Sequence, residues 1–273
     1  METRAIGEAA TESTIDGHAG SLYVRRWPRE DPSHVVVLSH GYAEHVGRYE
    51  HVAAALGDRG AAVYGLDHLG HGRSDGERGL IADFDLVADD LHRLVEMAGA
   101  ENPGLPLVVV AHSMGGLIAT RYVQRHDDGL AGLVLSAPLV GNPGTGALLA
   151  MDPLPEMPID PAVLSRDEAI QRAFMDDPLV YHGGFRRPML AAMAVALLET
   201  ALDAPRVRGP VLWMHGEADE LVPLAGSRRL MEGLPNADVT QRFYPGARHE
   251  IFNETNRGEV LAETARFVGA CVG

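Results

Sequence analysis

From Val35 onward the chain alternates two kinds of hydrophobic pattern. Short, continuous apolar runs at Val35–Ser39 (VVVLS), Ala62–Leu66 (AVYGL), Leu107–Val110 and Leu133–Ser136 predict buried strands. Between them lie stretches whose apolar residues recur at helical spacing, such as Tyr49–Arg59 and Gly115–Arg125. A third is Asp83–Ala98, with Leu86, Leu91, Leu94 and Val95 expected near one helical face. The alternation resumes after residue 206, at Val211–Met214, Ala225–Glu232, Val239–Tyr244 and Glu259–Val268. Strands that are apolar throughout, rather than at every second position, are those covered on both faces. The pattern therefore predicts an α/β fold with a mostly parallel central sheet flanked by helices.

Residues 140–206 break the rhythm. GNPGTGALLAMDPLPEMPIDP is dense in Pro and Gly, helical patterns follow near Arg166–Met175 and Pro188–Ala201, and no strand pattern is present. The expected organisation is a first core part (1–139), an inserted helical cap (140–206) and a second core part (207–273). Five of the ten methionines fall in the cap: Met151, Met157, Met175, Met189 and Met193. Thioethers adapt to irregular apolar space, so these residues either pack the cap onto the core or line a pocket for an acyl chain.

Composition narrows the function. With 273 residues, 46% of them hydrophobic, the chain can bury a large core. A net charge of −15 argues against nucleic-acid partners and against electrostatic docking on anionic lipid. All 23 basic residues are arginine, which together with abundant Ala and Gly fits a GC-rich bacterial genome. The single cysteine, Cys271, excludes an internal disulfide framework. METRAIGEAATESTIDG lacks the apolar stretch of a signal peptide, and the run Met189–Leu198 is too short to span a bilayer. A cytoplasmic protein is expected.

The candidate chemistry centres on VVVAHSMGGLIA, Val108–Ala119. It reads as strand, sharp turn and helix around Ser113. This is the context in which G-x-S-x-G exposes a nucleophilic serine, with Ala111 here in place of the first glycine. The simpler reading of Ser113 alone is a helix N-cap. Two further residues favour the nucleophile. VLWMHGEADELVP ends a strand and delivers Asp219, and RFYPGARHEIFNE ends another and delivers His249. Serine, aspartate and histidine then follow in the order used on such a sheet, all at the carboxyl ends of parallel strands. Glu217 and Glu220 flank Asp219 and are expected to be solvated. His40, His68, His71 and His215 lie near the same edge as structural candidates, and His112 is expected to point away from the serine. In SHGYAEHVGRYEHVA, the backbone N–H of Tyr42 pairs with that of Met114 as a candidate oxyanion hole. No H-E-x-x-H or comparable ligand spacing occurs, so neither a metal nor an organic cofactor is expected.

HGYAEHVGRYEHVA, DHLGHGRSDGERGLIADF, AHSMGG, LSAPLV, PIDPAVLSRDEA, DPLVYHGG, HGEADELVP and YPGARHEIFNE together resemble α/β-hydrolases of the monoacylglycerol lipase and lysophospholipase group. The resemblance spans about residues 38–254. D-H-x-G-H-G-x-S is widespread in this fold, whereas E-H-x-x-R-Y and I-D-x-x-V-L-S-R are more specific. The resemblance implies the α/β-hydrolase fold with an inserted cap. It makes Ser113, Asp219 and His249 the catalytic residues and Tyr42 and Met114 the oxyanion donors. It also makes Glu44 and Arg48 substrate-binding residues that face glycerol; the residues alone leave open a simple i,i+4 ion pair at a helix start. The implied reaction is hydrolysis of a small lipid ester, monoacylglycerol, with lysophospholipid or general carboxylester hydrolysis as alternatives and acyl transfer or mere ligand binding behind them. A dehalogenase or epoxide hydrolase would carry Asp at position 113. The segment Val140–Pro158 looks shorter than in animal enzymes, which implies at most transient contact with membrane surfaces.

Overall fold

The computed structural model describes residues 9–126, 129–142 and 144–273. Its strands are β1 (Thr11–Gly17), β2 (Gly20–Trp27), β3 (His34–Ser39), β4 (Ala61–Leu66), β5 (Leu107–His112), β6 (Gly132–Ser136), β7 (Arg208–Gly216) and β8 (Asn236–Tyr244). They form one sheet in the order β1-β2-β4-β3-β5-β6-β7-β8. From β4 to β8 every pairing is parallel; β2 is antiparallel to both β1 and β4. The β1–β2 hairpin has no counterpart in the apolar pattern. Its outer strand, TESTIDG, is largely exposed and polar, so no continuous buried run marks it.

The helices are α1 (Glu50–Gly57), α2 (Phe84–Glu101), α3 (Met114–Arg125), α4 (Gly144–Leu149), α5 (Glu168–Asp176), α6 (Arg187–Leu202), α7 (Leu224–Met231) and α8 (Arg257–Val272). The pleat sends alternate residues of the central strands to opposite faces. Val35, Val37, Val109 and Ala111 meet α2 and α3 in one core, while Val36, Leu38, Val108 and Val110 meet α1 and α8 in the other. Asp83 caps α2 by accepting hydrogen bonds from the N–H groups of Asp85 and Leu86. Leu86 itself is 42% exposed. The face of α2 that packs carries Phe84, Val87, Leu91, Leu94 and Val95, and at about 100° per residue Leu86 points well away from Leu91.

Between β6 and β7 the described chain is helical, with α4, α5 and α6 and no strand. The Gly-rich start of this segment hides α4 from a propensity argument. The methionines of this segment divide: Met189 and Met193 are buried, whereas Met151, Met157 and Met175 are 46–56% exposed. The segment is fastened to the core near the sheet's carboxyl edge. The N–H of Tyr181 donates to the Ala43 carbonyl (2.8 Å) and that of Glu250 to the Leu164 carbonyl (2.7 Å). His45 Nε2 lies 2.8 Å from Asp177 Oδ2. Among the described residues no helix is long and apolar enough to cross a membrane.

Candidate active site

Ser113 is the single residue between β5 and α3. Its φ of +53° and ψ of −118° lie where a side chain is strained, at a cost of about 1–3 kcal/mol. The surrounding backbone holds it there. The Ser113 N–H donates to the Ser136 carbonyl on β6 (2.9 Å), and its carbonyl accepts from the N–H groups of Gly116 (2.9 Å) and Leu139 (3.0 Å). Gly115 is required by close approach: a Cβ there would stand 2.3 Å from the Ser39 carbonyl oxygen and 2.5 Å from that of His40. Ala111, by contrast, sits on the strand with its methyl buried in the α2–α3 core. A small side chain fits at that point, and the turn forms without the first glycine of the motif.

Asp219 follows β7 in a tight loop. Its Oδ1 accepts from the N–H groups of Leu221 (3.0 Å) and Val222 (2.8 Å), which aims Oδ2 at His249. Gly216 lets the two loops touch, since a Cβ there would lie 2.2 Å from the Arg248 carbonyl oxygen. The N–H of Ala218 donates across to the Ala247 carbonyl (2.9 Å). His249 Nδ1 is 2.7 Å from Asp219 Oδ2, and its Nε2 is 2.8 Å from Ser113 Oγ. All three residues are buried. Glu217 and Glu220 are exposed, as expected of solvated neighbours.

The electrostatics follow from this chain of contacts. Burial disfavours charge on Asp219, but His249 and His215 outweigh it and hold the carboxyl far below the ordinary range. Burial likewise disfavours a charged His249, and the carboxylate of Asp219 more than compensates, raising its pKa above the usual histidine value. His112 does not point away. Its ring centroid is 4.8 Å from that of His249, because the strand's last residue sits beside the loop that carries the histidine. Burial, then the neighbouring His249, push the His112 pKa down to about 3, so this second imidazole is neutral. His40, His68 and His71 cluster under the loop after β3, with His40 Nε2 accepting from the His68 N–H (3.0 Å).

The loop after β3 carries Tyr42 beside Ser113. The Tyr42 ring stacks on Phe185, between α5 and α6 (4.9 Å), and its hydroxyl donates to the Gly79 carbonyl (3.2 Å). Met114 is the first residue of α3, where backbone N–H groups have no partner within the helix. Glu44 Oε1 accepts from the Gly41 N–H (2.6 Å) and the Tyr49 hydroxyl (2.6 Å). Arg48 pairs with Glu44 (2.8 Å), four residues away, and makes a two-pronged pair with Glu250 (2.7 Å on each arm). Arg48 is therefore held between two carboxylates. Burial opposes charge on both; the Arg48 guanidinium prevails at Glu250 and holds it at about 2, while burial prevails at Glu44 and raises it.

Ser113 and His249 open onto a cavity of about 340 Å³. Its walls are mainly apolar: Leu139, Leu148, Ile159, Leu164, Phe174, Phe185, Leu190, Met193, Leu221 and Val222. Glu44, Glu250, Asn142 and Thr145 supply polar positions. Of the five methionines between β6 and β7 only Met193 lines it; leucine, isoleucine and phenylalanine do most of the covering. Glu250 and His112 were not legible as site residues, although each adjoins a residue that was. Among the described residues no group of three or more His, Cys, Asp or Glu side chains is arranged to hold a metal ion.

A strained serine at a strand–helix turn, linked through a histidine to an aspartate on one edge of a mostly parallel sheet, defines a serine hydrolase of the α/β-hydrolase fold. The profile of the family described as serine aminopeptidase, S33, matches residues 30–256, and the chain belongs to that family, among its monoacylglycerol lipase-like members. It is 38% identical to a monoacylglycerol lipase of Mycolicibacterium smegmatis, over 88% of this chain and 90% of that one. It is 35% identical to human monoglyceride lipase, over 85% of this chain and 81% of the other. A crystal structure of Paleococcus ferrophilus monoacylglycerol lipase matches with a TM-score of 0.78 at 30% identity, covering 92% of this chain and 99% of that one.

Proposed function

We propose that this protein hydrolyses monoacylglycerols to glycerol and free fatty acid through an acyl-enzyme on Ser113. The observation that carries the reading is the Ser113–His249–Asp219 hydrogen-bond chain opening into an apolar cavity with carboxylates at one part of its wall. Its named relatives, monoacylglycerol lipases from a bacterium and from human, support the substrate class.

In the proposed mechanism His249, with Nδ1–H held by Asp219, presents a bare Nε2 to Ser113 and takes its proton. The alkoxide adds to the ester carbonyl. The N–H groups of Tyr42 and Met114 bind the resulting oxyanion, each worth about 3–4 kcal/mol in the transition state. His249 then protonates the departing glycerol oxygen. Water, activated by the same imidazole, attacks the acyl-serine and releases the fatty acid. The apolar cavity wall binds the acyl chain. Glu44, on the wall beside Gly41, accepts hydrogen bonds from glycerol hydroxyls, and Arg48 holds it in place.

Hydrolysis rates on monoacylglycerols of graded chain length, compared with a diacylglycerol, a lysophospholipid and a simple ester, test this function. The proposal expects monoacylglycerol to be preferred; equal or faster turnover of the simple ester or the lysophospholipid overturns it while leaving the serine chemistry intact. Ser113→Ala is expected to lower kcat by roughly 10⁶-fold and to abolish labelling by a fluorophosphonate. Substantial activity remaining in that variant removes Ser113 from the mechanism.

A further inference from the structure

His215 is the second-last residue of β7 and is completely buried four residues before Asp219. Its Nε2 lies 2.8 Å from the Val222 carbonyl oxygen and 3.2 Å from Asp219 Oδ2, the oxygen that His249 also faces. On the other side of the ring, Nδ1 is 3.2 Å from Trp213 Nε1. An indole nitrogen only donates. Nδ1 must therefore be bare and Nε2 must carry the hydrogen. Trp213 is itself fully buried, its ring edge-on to Phe243 of β8 at 4.8 Å, so the donor that fixes the tautomer is held by the core. One N–H is thus aimed between the carbonyl that closes the Asp219 loop and the aspartate oxygen. The chain of contacts does not end at Asp219; it runs back through His215 to Trp213, inside the sheet.

We propose that His215, with its tautomer set by Trp213, is a positioning residue that fixes the orientation and charge distribution of Asp219 and so tunes His249. This rests on the serine mechanism proposed above but not on its substrate. The N–H of His215 shares the negative charge of Asp219 Oδ2. Without it the carboxylate turns more of its charge on His249, which then holds its proton to higher pH. The other groups facing His249 belong to separate elements: His112 from β5, Glu44 from the loop after β3, and Glu250 beside it in sequence. None of them touches His215 in the hydrogen-bond network, so their influence is common to all variants compared.

The test uses a soluble p-nitrophenyl ester, which reports the serine chemistry whatever the natural substrate is. His215→Phe keeps a flat ring and removes both polar nitrogens. It is expected to lower kcat by roughly 10- to 100-fold, as for a catalytic group displaced by a fraction of an ångström to an ångström, with KM little changed. The acid limb of the pH–kcat/KM profile is expected to move to higher pH. His215→Gln, whose amide NH2 can donate where Nε2–H did and whose carbonyl can accept in place of Nδ1, is expected to restore most of both. An unchanged pH profile in folded His215→Phe, or Gln behaving no better than Phe, overturns the proposal and leaves His215 a loop support. If His215→Phe fails to fold, Trp213→Phe decides: Nδ1 loses its donor and Nε2–H becomes a weaker donor to Asp219, which is expected to move the acid limb the same way, and an unmoved limb overturns the proposal. Ser113→Ala, run in parallel, separates failure of the underlying serine mechanism from failure of this inference.

Discussion

A methyl group added at position 115 has nowhere to go, because the carbonyls of Ser39 and His40 already occupy its space. Gly115→Ala must push away the backbone that leads into Tyr42. It is expected to lower kcat by about 10²–10³-fold, the cost of losing one oxyanion donor, in a protein whose circular dichroism is unchanged. Retained activity would mean that Tyr42 is not such a donor. Arg48 is a second sensitive position. Arg48→Ala leaves the nearly buried carboxylates of Glu44 and Glu250 without their countercharge and is expected to cost about 3–5 kcal/mol, measurable by chemical denaturation. The pH dependence follows from His249. Its pKa is raised, and it acts as a base only when neutral, so kcat/KM is expected to rise through a midpoint above about 6.5. A midpoint well below that value would contradict the Asp219–His249 pairing. Ser113, Asp219 and His249 were legible because each stands in a short local pattern of strand, turn and small residues. The Arg48–Glu250 pair was not, because 202 residues separate its members and no local pattern marks it.

The elements most clearly written in the chain are those buried on both sides. Strands β3 to β7 show as continuous apolar runs because helices cover both of their faces. The β1–β2 hairpin lies at the edge of the sheet, where one flank is wet and polar residues are tolerated, so its signal is faint. The helical segment between β6 and β7 is legible as a break in the pattern, but its detailed packing is not. Five methionines share one segment, yet only Met189 and Met193 are buried, and only Met193 meets the cavity. Periodicity alone does not distinguish the outward side of α6, where Val195, Leu198 and Leu202 are exposed, from the inward one, because that helix is apolar nearly all round. Met193→Ala is expected to enlarge the cavity and to shift preference toward bulkier or longer acyl chains. It should also cost about 2–5 kcal/mol of stability. An unchanged chain-length profile, measured on the same ester series, would show that Met193 does not shape the acyl site.

Taken as a whole, the molecule carries a net charge of −15 with no lysine among its basic residues. Its binding to vesicles of anionic lipid is expected to be weaker than to zwitterionic ones, and the difference should shrink as salt rises; co-sedimentation at two ionic strengths tests this. The parallel sheet also sets an order of events. The Ser113–His249 contact closes a loop of 136 residues, with the helical segment between β6 and β7 inside it. Contacts so distant in sequence are slow to form, whereas α2 and α3 are built from neighbouring residues. On refolding, helical signal is therefore expected to return before hydrolysis does. The ester assay thus doubles as a clock for the last long-range closure of the chain, because no intermediate lacking β7 and the His249 loop brings a base to the serine.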